Sequence, residues 1–186
     1  MQQNTTTTTI LGLAATTAIL LNGAAADFTI YLGNTNEIDN PGISFSAAGM
    51  QVHDHAPLDC SEVSDMVTIS TPSDNDASSG GWACDGCNAD AVRDWDVQRF
   101  EMYNGDDAVG SETDNPIPLF SSATGSVTLY QTDGTNYDMR DSDDNLLGTC
   151  TRPEDPQEMD CSEVIAATFL THAFSCTSDL TPNAEL

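Results

Sequence analysis

The chain has 186 residues, with 30 Asp and Glu against 4 Lys and Arg, giving a formal net charge of -26. There is no Lys, and the cations are Arg93, Arg99, Arg140 and Arg152. A surface of this sign repels phosphate backbones and anionic lipid, so nucleic acid and membrane surfaces are excluded as partners. It attracts metal cations, cationic polymers and basic proteins.

The first element is Ile10 to Leu21, ILGLAATTAILL, followed by Asn22, Gly23 and three alanines. An apolar run of this length before an A-x-A sequence reads as a secretory signal peptide at 1-26, cut before Asp27. The run is too short to span a bilayer. Its n-region, MQQNTTTTT, carries no Lys or Arg, which departs from the usual pattern. The expected mature chain, 27-186, is 160 residues and one domain by length. It holds no N-x-S/T sequon.

All 30 acidic residues fall in that mature part, as 22 Asp and 8 Glu. Asp favours turns and caps where Glu favours helix interiors, so the balance points to a loop-rich β protein. Six cysteines, Cys60, Cys84, Cys87, Cys150, Cys161 and Cys176, form an even set in an exported chain and predict three disulfides. The pairing stays open among fifteen possibilities. Cys84-Asp85-Gly86-Cys87 is a CxxC, but SSGG precedes it and no βαβ pattern surrounds it, so a redox pair is disfavoured. A zinc site lacks a matching second pair.

In chain order, FTIYL at 28-32 reads as a strand and Asn34 to Gly42 as a turn region. Ile43 to Ser46 and Met50 to His53 read as short strands around Gly49. Met66 to Thr71 is β-branched and predicts a strand, and Thr71 to Gly81 a polar loop. Asn88 to Asp94 reads as a short helix capped by Asn88. Trp95 to Tyr103 follows as a strand with a bulge near Arg99. Asn104 to Pro118 is an acidic loop, and Leu119 to Ser121 a short strand. SVTLYQ at 126-131 is the strongest strand signal. Asp133-Gly134 supplies hairpin chemistry, Asn136 to Arg140 returns, DSDDN turns, and Leu146 to Cys150 closes a meander. Arg152 to Pro156 is a Pro-interrupted loop. The pattern predicts a mostly β domain, an antiparallel sandwich with Greek-key connections among its forms, and one or two short helices.

The pentapeptide DCSEV occurs twice, at 59-63 and 160-164. Asp followed three residues on by Glu resembles a capping box, so each copy predicts a helical turn leading into a strand, pinned by a cysteine. A helix from Cys161 to His172 is the alternative for the second copy. An internal duplication competes with this local reading, because FTIY and VTLY recur at a similar offset.

Signal peptide, compact domain, paired cysteines and short strands together resemble the small secreted cysteine-rich proteins of filamentous fungi, many of them effector candidates. That resemblance implies an extracellular, often non-enzymatic role against a host or competitor; the charge points to a cationic protein or polysaccharide as partner. DNDASS at 74-79 resembles the calcium-binding signature of βγ-crystallin domains, and FTIY and VTLY are similar to that family's first strands. It implies calcium on Asp74, Asn75 and Ser78. The nearest second signature, at 106-111, has Gly110 where Ser or Thr belongs.

Other chemistry is thin. DSDDN starts like an EF-hand loop but has Leu146 and Arg152 where Gly and Glu are required. His53 and His55 share a strand face that suits a transition metal. No G-x-S-x-G, H-E-x-x-H or P-loop is present. An acid-active hydrolase needs only two carboxylates, and thirty acidic residues make any choice of pair arbitrary. The reading is therefore a non-catalytic secreted binding protein with no catalytic residues assigned; a calcium-stabilised β domain and the hydrolase are the alternatives.

Overall fold

A computed structural model describes residues 28-39, 43-63, 81-87, 91-104, 119-120, 125-162 and 166-183. The expected signal segment at 1-26, the strand at Met66 to Thr71 and the DNDASS loop lie outside these residues. Among the described residues no helix is long and apolar enough to cross a membrane.

The chain is mostly antiparallel β. Its strands are β1 (Phe28–Asp39), β2 (Ile43–His53), β3 (Trp82–Asp85), β4 (Arg99–Tyr103), β5 (Ser126–Asp133), β6 (Asn136–Asp141), β7 (Leu146–Thr151), β8 (Glu158–Ser162) and β9 (Ala166–Ser178). They form one sheet in the order β2-β1-β9-β7-β6-β5-β4-β3, with β8 laid along β9. Every pairing is antiparallel. Strands β3 to β7 are a meander. β9 then joins that meander to the β1-β2 hairpin.

Period-two alternation turns one side chain in two toward the interior. Phe28, Ile30 and Leu32 of β1 point there, as do Phe100 and Met102 of β4, Val127 and Leu129 of β5, and Tyr137 and Met139 of β6, all buried. Phe174 of β9 meets Phe100 of β4 at 5.5 Å between ring centroids, and Tyr137 of β6 edge-on at 5.1 Å. β9 and β4 are four positions apart in the sheet. At about 4.8 Å per strand they would stand roughly 19 Å apart if the sheet were flat. The sheet therefore rolls around its core and is nearly barrel-shaped, rather than the clear two-layer sandwich the sequence suggested. Asn104, buried at the end of β4, grips Phe120 by donating to its carbonyl (3.2 Å) and accepting from its amide (2.6 Å). Phe120 in turn packs on Phe28 at 5.1 Å.

Several local expectations change. β1 runs on to Asp39 where a turn was expected, and β2 is one strand through Gly49. Gly33 lies opposite Gly49, and a side chain at Gly33 would strike the Phe169 carbonyl on β9. Gly33 marks a close backbone approach, and β2 continues unbroken through Gly49. Of the helix expected at 88-94, the described residues form a 3-10 turn at Val92–Asp94, and the strand after it starts at Arg99, not Trp95. The β5-β6 hairpin forms with Gly134 at φ +49.

The two DCSEV copies are joined to each other by the Cys60–Cys161 disulfide. They do not share a conformation. The first is a 3-10 turn at Cys60–Glu62, capped by Asp59, which accepts from the Ser61 amide at 2.8 Å. Glu62 accepts from the Leu58 amide at 2.7 Å, one residue before the capping-box position. In the second copy Asp160, Cys161 and Ser162 belong to β8 and pair with β9, and residues 166-172 are strand, so the described residues of 160-172 form neither the expected helical turn nor a helix. The other bridges are Cys150–Cys176, buried between directly opposed positions of β7 and β9, and Cys84–Cys87.

Loop closure orders the three bridges. Cys60–Cys161 closes a separation of 101 residues and Cys84–Cys87 one of 3. In the chain-entropy account a loop of about 100 residues is worth roughly 4.7 kcal/mol, and shorter loops less. Urea unfolding of the Cys60→Ser/Cys161→Ser pair is expected to show a loss of about 2–5 kcal/mol. The Cys84→Ser/Cys87→Ser pair should lose clearly less. Equal losses would contradict the loop-closure account.

Candidate functional site

One end of the rolled sheet carries a cleft of about 450 Å³. Three segments build it: residues 93-97 before β4, the β5-β6 hairpin at Gln131, Gly134, Thr135 and Tyr137, and residues 152-156 before β8, with His172 of β9. The 93-97 segment has no strand pairing of its own, so side chains and flanking amides hold it. Buried Val97 anchors it to the core, and the Tyr137 hydroxyl donates to the Val97 carbonyl at 2.9 Å. The Gln98 amide donates to Asp85, and Gln131 donates back to the Gln98 carbonyl. Trp95 packs beside Trp82 at 6.4 Å.

Arg152 locks the arrangement. Its amide donates to the Thr135 carbonyl at 2.9 Å, and its guanidinium donates to the carbonyls of Trp95 and Val92, the latter at 2.8 Å. The guanidinium also stands over the Phe174 ring, 6.0 Å from its centroid. One cation thus ties all three cleft segments to the core ring that closes the sheet. Burial pushes the Tyr137 phenol up from its ordinary pKa, so the hydroxyl stays protonated and able to donate.

The other arginines are engaged too. Arg93 pairs with Glu158 at 2.6 Å, Arg99 with Asp85 at 3.1 Å, and Arg140 with Asp138 at 2.8 Å and Asp144 at 3.2 Å. At the cleft, Asp94, Asp96, Glu154 and Asp155 are exposed.

On the outer face of β2, β1 and β9 stands a second cluster around buried Tyr31. His172 stacks on its ring at 5.0 Å and His53 meets it edge-on at 5.7 Å. The Tyr31 hydroxyl donates to Gln157 at 2.8 Å, and Gln157 donates to the Pro57 carbonyl at 3.1 Å. Burial raises the Tyr31 pKa to about 12 and lowers those of His53 and His172. Ser175 Oγ lies 3.0 Å from His172 Nε2, the spacing of a nucleophile and its base. That nitrogen is also 3.1 Å from the Phe174 carbonyl, which only an N–H satisfies. With the proton on Nε2 the ring donates to that carbonyl and is no base for Ser175.

The sequence-predicted sites separate. β2 ends at His53, which hydrogen-bonds Gln51 at 2.7 Å, while His55 turns to Asp54 and Glu62. His55 thus lies beyond the strand, and the two imidazoles do not share the strand face that their spacing suggested. Among the described residues no group of three His, Cys, Asp or Glu is placed to hold a metal ion. Asp141 of DSDDN accepts from the amides of Asp143 (3.0 Å) and Asn145 (2.8 Å) and from the Asn145 side chain, so the loop folds around its own carboxylate. Asp74, Asn75 and Ser78 lie outside the described residues. Sequence reasoning missed Arg152, Trp95 and Tyr137; for Arg152 scarcity was the usable signal, since it is one of 4 cations against 30 acidic residues.

Comparison with protein-family models, with curated proteins and with solved structures finds no match for this chain.

The buried imidazoles set a pH dependence. His53 and His172 both titrate below the ordinary 6.5 in the folded chain. Above that pH both states are neutral and stability is intact. As pH falls below it the unfolded chain takes protons first, so stability drops until the folded pKa values are passed. Thermal melts of His53→Gln and His172→Gln from about pH 7.5 to about pH 5.5 should each show a shallower fall in Tm than the parent. A parallel or steeper fall would contradict the burial of these rings.

Proposed function

We propose that this chain is a secreted, non-catalytic binding protein whose acidic surface captures a cationic partner outside the cell. The observation that carries this reading is the disposition of its charge. All four arginines are taken up by the protein's own acceptors, while the net charge of -26 stands uncompensated. Such a field favours encounter with cationic partners and repels anionic ones. Three disulfides accord with an oxidising, extracellular setting, and the apolar leader at 1-26 accords with export. In the role its resemblance to fungal effector candidates suggests, the target is a basic component of a host or competitor.

Fluorescence anisotropy with a labelled Lys- and Arg-rich peptide and its Glu-rich counterpart tests this. The basic peptide should bind, and its affinity should fall about tenfold or more between roughly 0.05 M and 0.5 M salt as screening shortens the reach of the field. Equal binding of the acidic peptide, or affinity indifferent to salt, would overturn the reading.

A further inference from the structure

We propose that the cleft walled by residues 93-97 and 152-156 is a preformed seat for the guanidinium group of an arginine in a basic polypeptide. The inference rests on the binding role above and gives it a place and a ligand chemistry. A cavity of about 450 Å³ lies within the size range of small-ligand sites, roughly 300–1,000 Å³. Its walls are fixed before any ligand arrives, because Arg152 bonds the 92-95 backbone to the 152 segment and the hairpin.

The lining combines two features that suit a guanidinium better than an ammonium. One is aromatic: half-buried Trp95 lines the cleft, whereas Tyr137 is buried in the core and His172 is stacked on Tyr31. A planar, weakly hydrated guanidinium stacks on an indole such as that of Trp95, whereas an ammonium keeps its water. The other is carboxylate on both walls, Asp94 and Asp96 from one segment and Glu154 and Asp155 from another. Carboxylates accept the guanidinium fork in pairs of parallel hydrogen bonds. The two arginines of the lining do not fill this role, since Arg152 is turned onto backbone carbonyls and the ring of Phe174, and Arg93 is paired with Glu158. Burial keeps His172 neutral near pH 7, so it adds no opposing charge.

The test uses the oxidised full chain and a fluorescein-labelled hexa-arginine peptide, with hexa-lysine and hexa-citrulline for comparison. Asp94→Asn/Asp96→Asn removes charge from one wall and Glu154→Gln/Asp155→Asn from the other. Asp143→Asn/Asp179→Asn removes the same charge from exposed positions outside the cleft. Each wall pair is expected to weaken hexa-arginine binding about tenfold, and the control pair about twofold or less. Hexa-arginine should bind several-fold more tightly than hexa-lysine, and hexa-citrulline should not bind. If the control pair costs as much as the wall pairs while cationic peptides still bind, the cleft is not the seat and only the general acidic-surface reading survives. If neither cationic peptide binds, both readings fall. A Tm for each variant within a few degrees of the parent separates lost recognition from lost folding.

Discussion

The contact between Phe174 on β9 and Phe100 on β4 holds the rest of the architecture in place. Four strand spacings separate these residues along the sheet, so the rings meet only if the sheet rolls. Rolling creates the interior that buries Phe28, Ile30, Leu129 and Met139. It also brings the 93-97 segment, the β5-β6 hairpin and the 152-156 segment to one end of the sheet, within reach of Arg152. The guanidinium above Phe174 connects the two levels, with the core ring below and the cleft backbone beside it. A cleft braced in this way keeps its shape without a ligand, which lowers the ordering cost of binding.

Electrostatics opposes this architecture throughout. Thirty carboxylates repel one another in the folded chain more than in the expanded one. The folded state answers with covalent and apolar terms. Cys60–Cys161 ties the first 3-10 turn to β8, with Tyr31, Val63 and Leu170 in a small cluster beside it. Cys150–Cys176 staples β7 to β9 inside the main core. Asp59 and Asp141 are held below their ordinary pKa by hydrogen bonds, the first from Ser61 and the second from Asn145. These carboxylates serve as local turn locks.

What was legible in the sequence is what local chemistry decides. The Asp133-Gly134 turn, the alternation of Val127 and Leu129, and the cap at Asp59 need only near neighbours. The missed features depend on distant partners. β1 passes through Asn34 to Asp39, a turn by composition, because β2 and β9 flank it and supply a ladder on each side. Residues 160-162 repeat the letters of a capped turn, yet β9 offers them strand pairing and they take it. The two DCSEV copies are partners in one disulfide, which spacing alone could not choose among the pairings. The role of Arg152 was hidden for the same reason: its acceptors, Val92 and Trp95, lie 60 and 57 residues away.

The most direct test of the account is amide and indole chemical-shift mapping of the isotope-labelled chain titrated with hexa-arginine. The account predicts perturbations concentrated on the Trp95 indole N–H and on the amides of Asp94, Asp96, Gly134, Glu154 and Asp155, with the strands of the opposite end unmoved. Shifts of similar size spread over acidic residues on every face, with Trp95 silent, would contradict it.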